Sequence, residues 1–399
     1  MRKLNKTAAC GILAAALAAG TLSGCSKAID GTATVATVGE EKVTLGLASY
    51  MVRDQQAQTT SYYNMLMSQY GVSGSASNVW DQKGDDGKTV GESSKDGVMT
   101  TINQLYVLKA HAADYDVTIT DDEEKAIKEA AAEFIKDNDE KILKKLAVSE
   151  DDIVTYLELV TIRSKMHDPM TADVDTEVSA NEKDQTRVTI VKVSTEGTEK
   201  DDDGNTIDLT DEEKAQKKDL AQQVLDKVKA SDDVANADMD ALAKEVDDSL
   251  SATAPAFTTA GSTDDTLDEA VQDAALELKD GEVADSVIEG DDGYYVVRLD
   301  KMLDEDATEN KEKTVISERK SDLYDSTLED WVKEEKIKVK DKVWDQITVT
   351  DSVSFVYKSA DSSDDTESSD AQDSTEDTSS QDNSEDTTTE DTAAEDSAE

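Results

Sequence analysis

The sequence predicts an α+β protein that is mainly helical and is built from two packing units. About 325 residues lie between residue 34 and residue 358, which is more than one small hydrophobic core needs. Long segments on both sides of this region have apolar residues at helical spacing, whereas the middle contains short β-branched runs typical of strands. Each part of the chain supports this prediction in turn.

Residues 1–24 have the features of a secretory signal peptide. Cations at positions 2, 3 and 6 precede an apolar stretch over residues 8–19, which is too short to span a bilayer permanently. The letters LSGC at residues 22–25 match the lipobox of bacterial lipoproteins, which implies that Cys25 is diacylated and becomes the new amino terminus. An ordinary secretory signal with an incidental cysteine is the alternative. We therefore expect residues 25–33 to form a lipidated tether that attaches the chain to a membrane without spanning it.

The charge and cysteine content exclude several kinds of partner and bond. The net charge of −51 repels nucleic acid and anionic lipid headgroups, so neither is an expected partner. Loss of Cys10 with the signal peptide and acylation of Cys25 would leave no thiol for a disulfide. Residues 359–399 contain sixteen acidic residues and no Lys or Arg, which predicts a disordered, solvated tail.

The first unit, residues 34–184, is predicted to be a helical domain that begins with a small hairpin. Residues 35–44 alternate apolar and polar positions around Gly39, and residues 45–69 follow as a helix. A loop rich in Gly, Ser and Asp is expected over residues 71–96, with helicity returning near Val98. Thr120 and Glu123 form a capping-box pattern, another helix begins at Ser149, and helicity is expected to stop near Pro169.

The second unit, residues 185–303, mixes strands and helices. A strand over residues 186–193 precedes a helix capped by Thr210 and Glu213, and shorter elements follow as far as a last strand over residues 293–299. Residues 304–358 then supply a long helix and a final β-rich piece.

Three segments of the second unit resemble the parvulin family of peptidyl-prolyl isomerases. They are DMDALAKE at residues 238–245, AALELKDGEV at residues 274–283 and GYYVVRL at residues 293–299. They occur in the family's order, and the resemblance covers residues 186–302. It implies a four-stranded antiparallel sheet packed with helices.

The flanking helical segments resemble the chaperone domain of the foldase lipoproteins PrsA and of SurA. In that family the parvulin domain is inserted between two parts of one chaperone domain. The resemblance implies an extracytoplasmic foldase at the membrane surface, with unfolded or nascent exported proteins as partners. It also makes a homodimer possible.

The sequence departs from the family at the residues that would perform the chemistry. Parvulins hold the proline ring in an apolar pocket above a sheet floor that carries two cross-strand histidines, but this chain has no histidine after His167. Tyr295 stands at one histidine position, and Thr189 or Ile190 stands at the other, depending on register. Tyr295 is expected to donate a hydrogen bond across the sheet to Thr189. The candidate pocket walls are Leu267, Val271 and Leu276.

No other segment predicts a cofactor or metal site. His111 and His167 are more typical of structural residues than of ligands, and the acidic letters DDDGN at residues 201–205 lack the ligand spacing of a calcium loop. The leading hypothesis is a lipid-anchored chaperone or foldase. An active prolyl isomerase is one alternative, and a solute-binding lipoprotein is another, although the helix-rich pattern does not favour the latter.

Overall fold

A computed structural model describes residues 17–22, 29–70, 79–198, 200, 206–260 and 267–357. These residues belong to one of two compact units, Met1–Tyr357. Cys25, the acidic segment 201–205 and the tail 359–399 lie outside the described residues, so the predictions for them stay predictions. No helix in the described ranges is long and apolar enough to cross a membrane.

The first part of the chain is a hairpin followed by helices. Its elements are β1 (Leu17–Leu22), β2 (Thr34–Val38), β3 (Glu41–Thr44), α1 (Leu45–Gln69), α2 (Val90–His111), α3 (Asp121–Asp137), α4 (Glu140–Leu146), α5 (Glu150–Met170) and α6 (Ala180–Lys183). The predicted hairpin turns at Gly39, whose φ of +58° lies in the left-handed region that glycine adopts without a steric penalty.

The middle and the end of the chain supply the remaining elements. The middle contains β4 (Gln185–Ser194), α7 (Asp211–Lys229), α8 (Met239–Lys244), β5 (Ala252–Thr253), β6 (Ala256–Thr258), α9 (Glu269–Leu276), β7 (Ile288–Glu289) and β8 (Gly293–Lys301). The end contains α10 (Glu305–Glu334), β9 (Ile337–Val339), α11 (Asp341–Trp344) and β10 (Val353–Tyr357). The α+β class is confirmed, because the chain is mainly helical and its strand pairs are antiparallel.

Helix starts agree with the predictions wherever a capping box was recognised. Thr120 and Glu123 form the predicted capping box of α3, and Thr210 and Glu213 form that of α7. Ser149 caps α5 together with Asp152. In each box a side-chain oxygen satisfies a backbone N–H that the first helical turn leaves without a partner.

One helix boundary was predicted wrongly, and another was predicted to within one residue. Helix α2 begins at Val90 rather than near Val98, because Thr89 and Glu92 form another capping box ahead of the polar residues. Helix α5 ends at Met170, in agreement with the predicted end near Pro169, although the proline itself lies inside the last turn. A proline this close to the end of a helix removes one backbone bond from the last turn and leaves the preceding turns intact.

One hydrophobic core combines the two helical parts of the chain. We call residues 185–303 the middle unit. Residues of β2 and of α1 to α5 pack with residues that follow the middle unit in sequence. The most buried of these are Leu328, Trp344, Ile347, Val349 and Phe355. Strand β9 also joins β2 and β3 in one sheet, in the order β3-β2-β9. Residues on both sides of the middle unit therefore fold around a common core.

The middle unit is built on a sheet of five strands, not the four that were expected. Its order is β5-β4-β8-β7, and β6 also pairs with β4. Pro255 separates β5 from β6, and both pair antiparallel with β4, at residues 190–191 and 185–187 respectively. One core cluster combines the sheet with α7 and α8, and a second cluster combines it with α9.

Strand β1 lies within the segment predicted to be a signal peptide, where no strand was predicted. It pairs antiparallel with β10, so that Leu17 lies opposite Tyr357 and Ala19 opposite Phe355. The side chain of Leu17 is fully buried in the helical core. The pairing describes the chain with residues 1–24 in place, so their removal stays a prediction.

Candidate functional site

The register of β4 and β8 decides which of the predicted site residues share a face of the middle sheet. Thr189 pairs with Arg298, Ile190 with Val297, and Lys192 with Tyr295. Because successive side chains of a strand point to opposite faces, Ile190 shares a face with Tyr295 and Thr189 does not. Ile190 is therefore the counterpart of Tyr295 on the predicted floor.

The α9 side of the sheet brings together five of the six predicted pocket residues. Ile190, Leu267, Val271 and Tyr295 are each less than one-tenth exposed, and Leu276 packs against them at the edge of the cluster. Phe257 and Val297 belong to the same cluster and are fully buried. The floor is thus apolar and closely packed, with Tyr295 as its polar member.

Tyr295 donates its hydroxyl hydrogen to Asp292, so the expected bond to Thr189 is wrong. The ammonium of Lys192 donates to the other carboxylate oxygen of Asp292. Burial and the Asp292 carboxylate raise the pKa of Tyr295, whereas the bonds from Lys192 and Tyr295 lower the pKa of Asp292. At neutral pH Tyr295 is a neutral donor and Asp292 an ionised acceptor.

Thr189 instead belongs to a polar network on the opposite face. Its hydroxyl donates to Asp300 at 2.6 Å and accepts from the Arg298 guanidinium at 3.3 Å. Arg298 also donates to Asp300 at 2.7 Å and to the carbonyl of Ala237 at 2.8 Å, just ahead of α8. Thr189 therefore helps to hold α8 against the sheet and has no part in the apolar floor.

The helical domain contains an open groove between α1 and α2, which no sequence pattern predicted. Two adjoining cavities of about 260 and 450 Å³ share Gln55 of α1 with Val98 and Thr101 of α2 as lining residues. We call these two cavities the α1–α2 groove. Its other lining residues include Met51, Asp54, Gln58, Thr59, Trp80, Gly97, Tyr156 and Arg163.

The residues that line this groove divide about evenly between polar and apolar side chains. Asp54 accepts a hydrogen bond from the Tyr357 hydroxyl at 3.0 Å and another from Gln58 at 2.8 Å. Burial raises the pKa of the Asp54 carboxyl, although these two bonds act in the opposite direction. The groove thus offers both apolar contact and hydrogen-bonding partners to a chain lying in it.

The last turns of α1 expose an unusual amount of apolar surface. Tyr62, Met65, Met67 and Tyr70 have exposed fractions of 57%, 62%, 36% and 75%. We call them the Tyr/Met end of α1. The sequence carries a sign of it, because the apolar residues of SYYNMLMSQY at residues 61–70 do not fall on one helical stripe. Such a distribution leaves apolar side chains in water unless another molecule covers them.

Both histidines have structural environments. The ring of His111 stacks on Trp331 at a centroid distance of 4.1 Å, and its Nδ1 lies 3.1 Å from Asp114. His167 lies against Tyr324 and beside Asp168. Within the described residues no group of His, Cys, Asp and Glu side chains is placed to hold a metal ion.

Comparison with known families identifies the middle unit. Residues 199–312 match the family model of the PPIC-type PPIASE domain, which confirms the predicted parvulin-type resemblance over this segment. The match begins after β4 ends and extends into α10, so it does not include Thr189 or Ile190. No curated protein matches the chain significantly.

Several solved structures are similar to this chain at low identity. The foldase protein PrsA of Lactococcus lactis is 14% identical, with 78% of this chain and 96% of that chain covered and a TM-score of 0.31. The peptidylprolyl isomerase PrsA of Bacillus cereus is 19% identical, with coverages of 66% and 94% and a TM-score of 0.29. A SurA-like chaperone of Campylobacter jejuni is 10% identical, with coverages of 77% and 99% and a TM-score of 0.24.

Proposed function

We propose that this chain, whose residues 199–312 match the family model of the PPIC-type PPIASE domain, is a foldase that binds unfolded exported polypeptides. In this proposal residues 1–24 are removed, Cys25 carries lipid, and the protein works at the extracytoplasmic face of a membrane. The proposed partners are exported chains that have not yet folded. Pairing of two copies through the helical domains is also open to test.

The α1–α2 groove and the neighbouring Tyr/Met end of α1 carry this proposal. An unfolded client presents apolar side chains in no fixed order, so a binding surface must adapt to many sequences. Methionine suits that task because its thioether side chain is flexible and polarisable, and tyrosine adds a large apolar ring with a polar tip. The net charge of −51 should make the chain bind basic or neutral clients more readily than acidic ones, which it repels.

The proposal predicts that the Tyr/Met end is needed to suppress aggregation. We expect the double variant Met65→Ser/Tyr70→Ser to require about three to ten times more protein than the parent to protect a denatured exported enzyme from aggregation, measured by light scattering. The reason is the loss of exposed apolar area, about 25 cal/mol for each Å² that a client would cover. Both residues are mostly exposed, so stability should hardly change.

The matched control is Ile207→Ser/Leu303→Ser, which removes two apolar side chains of similar exposure, 46% and 51%, from other parts of the surface. This control should protect the client as well as the parent does. Equal loss in both double variants, or no protection by the parent chain, would contradict the proposal.

Prolyl isomerisation is a second candidate function, which the PPIC-type match favours. An enzyme of this kind must stabilise the twisted amide over the planar forms, since the uncatalysed barrier is about 20 kcal/mol. The apolar floor supplies a surface for a proline ring, but Tyr295 and Ile190 stand where histidines would be expected. We therefore expect any acceleration to depend on the Tyr295 hydroxyl.

Two adjacent tyrosines of β8 make this dependence testable. Tyr295 faces the α9 side, whereas Tyr294 belongs to the core on the α7 side. If the domain is active, Tyr295→Phe should lower the isomerisation rate on X-Pro peptides about ten-fold, the effect of losing one hydrogen bond, and Tyr294→Phe should not. Absence of acceleration by the parent chain on peptides with varied X would remove this candidate and leave the binding function untouched.

A further inference from the structure

We propose that the edge of β10 covered by β1 becomes, after removal of residues 1–24, a binding site for one extended apolar segment of an unfolded client. We call this site the β10 slot. The inference rests on the proposed function, because it needs both the removal of the signal peptide and an unfolded partner.

The full chain shows how an extended segment fits the slot. Strand β1 pairs antiparallel with β10 from Leu17, opposite Tyr357, to Leu22, opposite Val353, with an irregularity after Ala19. The Leu17 side chain is completely buried in the helical core. Its N–H donates to Oδ1 of Asn138 at 2.9 Å, and Asn138 is itself buried at the end of α3. The slot thus binds one apolar anchor and the backbone around it.

Removal of β1 would leave these groups without partners. Within the described residues, β1 is the strand that pairs with β10. Its loss would free the backbone groups of β10 on that edge, the carbonyl oxygen of the Asn138 side chain and the space that Leu17 fills. Open strand edges of this kind pair readily with another extended chain, and backbone bonds give the affinity.

Contacts with α1 hold β10 independently of β1. Gln56 donates to the carbonyl of Val353 at 2.8 Å, and the Tyr357 hydroxyl donates to Asp54 at 3.0 Å. Phe355 is buried, with the guanidinium of Arg53 at 4.9 Å from its ring centre. These contacts with α1 fix both ends and the middle of β10, so the edge should persist when β1 is absent.

The chemistry of the slot selects its occupant. Backbone pairing with β10 does not depend on the side chains of the bound segment, whereas the site filled by Leu17 accepts one apolar side chain of leucine size. The segment that fills it, LAAGTL at residues 17–22, has no charge. Unfolded exported chains expose such segments and folded proteins bury them. Asp54 lines the α1–α2 groove and also binds Tyr357, so the slot adjoins the groove and one client could occupy both.

The test uses the chain from residue 25 onward with Cys25→Ser and a fluorescent peptide with the sequence AALAAGTLSG of residues 15–24. Anisotropy titration should give saturable binding. Two altered peptides leave the protein unchanged: one replaces Leu17 by Asp, and the other carries a methyl group on the Leu17 nitrogen. We expect each to bind at least ten-fold more weakly, because the first loses the apolar anchor and the second the N–H that Asn138 accepts.

Several outcomes would overturn the inference. They are the absence of saturable binding, equal binding of all three peptides, and loss of cooperative unfolding in the shortened chain, which would make β1 an integral strand. Aggregation assays on the same protein separate the two proposals. If the protein protects a client but does not bind the peptide, only the proposal of the β10 slot is refuted. If it binds the peptide but does not protect a client, the proposed foldase function is refuted. If both hold, the parent peptide should compete with the client.

Discussion

Replacing Gly91 by alanine is expected to lower the free energy of unfolding by about 3 kcal/mol. Gly91 lies in the first turn of α2, where a Cβ would stand 2.1 Å from the carbonyl oxygen of Val349 and 2.9 Å from its carbonyl carbon. These are backbone atoms, so a side-chain rotation cannot relieve the clash. Either the segment leading to β10 or the start of α2 must move. Urea unfolding followed by circular dichroism measures the loss.

Gly97 provides the matched control in the same helix. A Cβ at this position has no neighbour within 4 Å, and Gly97 is exposed at the wall of the α1–α2 groove. Gly97→Ala should therefore raise the free energy of unfolding by about 0.5–1 kcal/mol, since alanine loses less conformational entropy in a helix. If the two variants changed stability in the same direction, the close approach of Val349 to α2 would be wrong.

Local sequence patterns predicted much of the secondary structure. The bounds of α1 agree with the predicted residues 45–69, and the starts of α3, α5 and α7 agree because caps act over three or four residues. The late prediction for α2 arose from the segment ESSKDG, whose Ser, Asp and Gly residues have weak helix propensity and outweighed the Thr89–Glu92 box. The extra strand β5 was missed because a two-residue pairing leaves no periodicity to detect.

Site residues could be predicted from the sequence only where they lie within a recognisable local motif. The apolar members of the Tyr295 cluster were identified by their place in the parvulin-like motifs. The choice between Thr189 and Ile190 depended on register, and the pairing shifts between Arg187 and Val188 in a way that side-chain alternation does not reveal. The α1–α2 groove is formed jointly by side chains of α1, α2 and α5, so no single segment could have indicated it.

The α1–α2 groove and the apolar floor around Tyr295 lie in parts of the chain that meet at a defined junction. The backbone N–H of Asp304 donates to the carbonyl of Gln185 at 2.8 Å, and the N–H of Gln185 donates to the Thr308 hydroxyl at 3.0 Å. The chain thus enters the middle unit at β4 and leaves it at α10, and the residues at these two points are hydrogen-bonded to each other. A defect at this junction should weaken the attachment of the middle unit to α10.

Asp304→Ala is expected to lower the free energy of unfolding by about 2–4 kcal/mol. The Asp304 side chain caps α10 by accepting from the N–H groups of Asp306 and Ala307, each at 3.1 Å, and it also binds the guanidinium of Arg187. Asp304→Asn keeps a capping oxygen but loses the charge, so it should cost about 1–2 kcal/mol. The lower figure allows for screening by water, because the Arg187 side chain is 36% exposed.

The pH dependence of these variants separates the charge of Asp304 from its role as a cap. The bond from Arg187, followed by that from the Ala307 N–H, lowers the pKa of Asp304 below its ordinary value of 3.8. A carboxyl with a lowered pKa contributes stability that is present above the ordinary value and is lost as the pH falls through the folded value. The difference between the parent and Asp304→Asn should therefore be constant from pH 7 to pH 5 and shrink below about pH 4. Subtracting one curve from the other cancels the titration of carboxylates common to both proteins, including Glu123 and Glu182, whose pKa values are also lowered. A difference that stayed constant down to pH 3 would mean that the ion pair with Arg187 contributes nothing, and that Asp304 stabilises the junction only as the cap of α10.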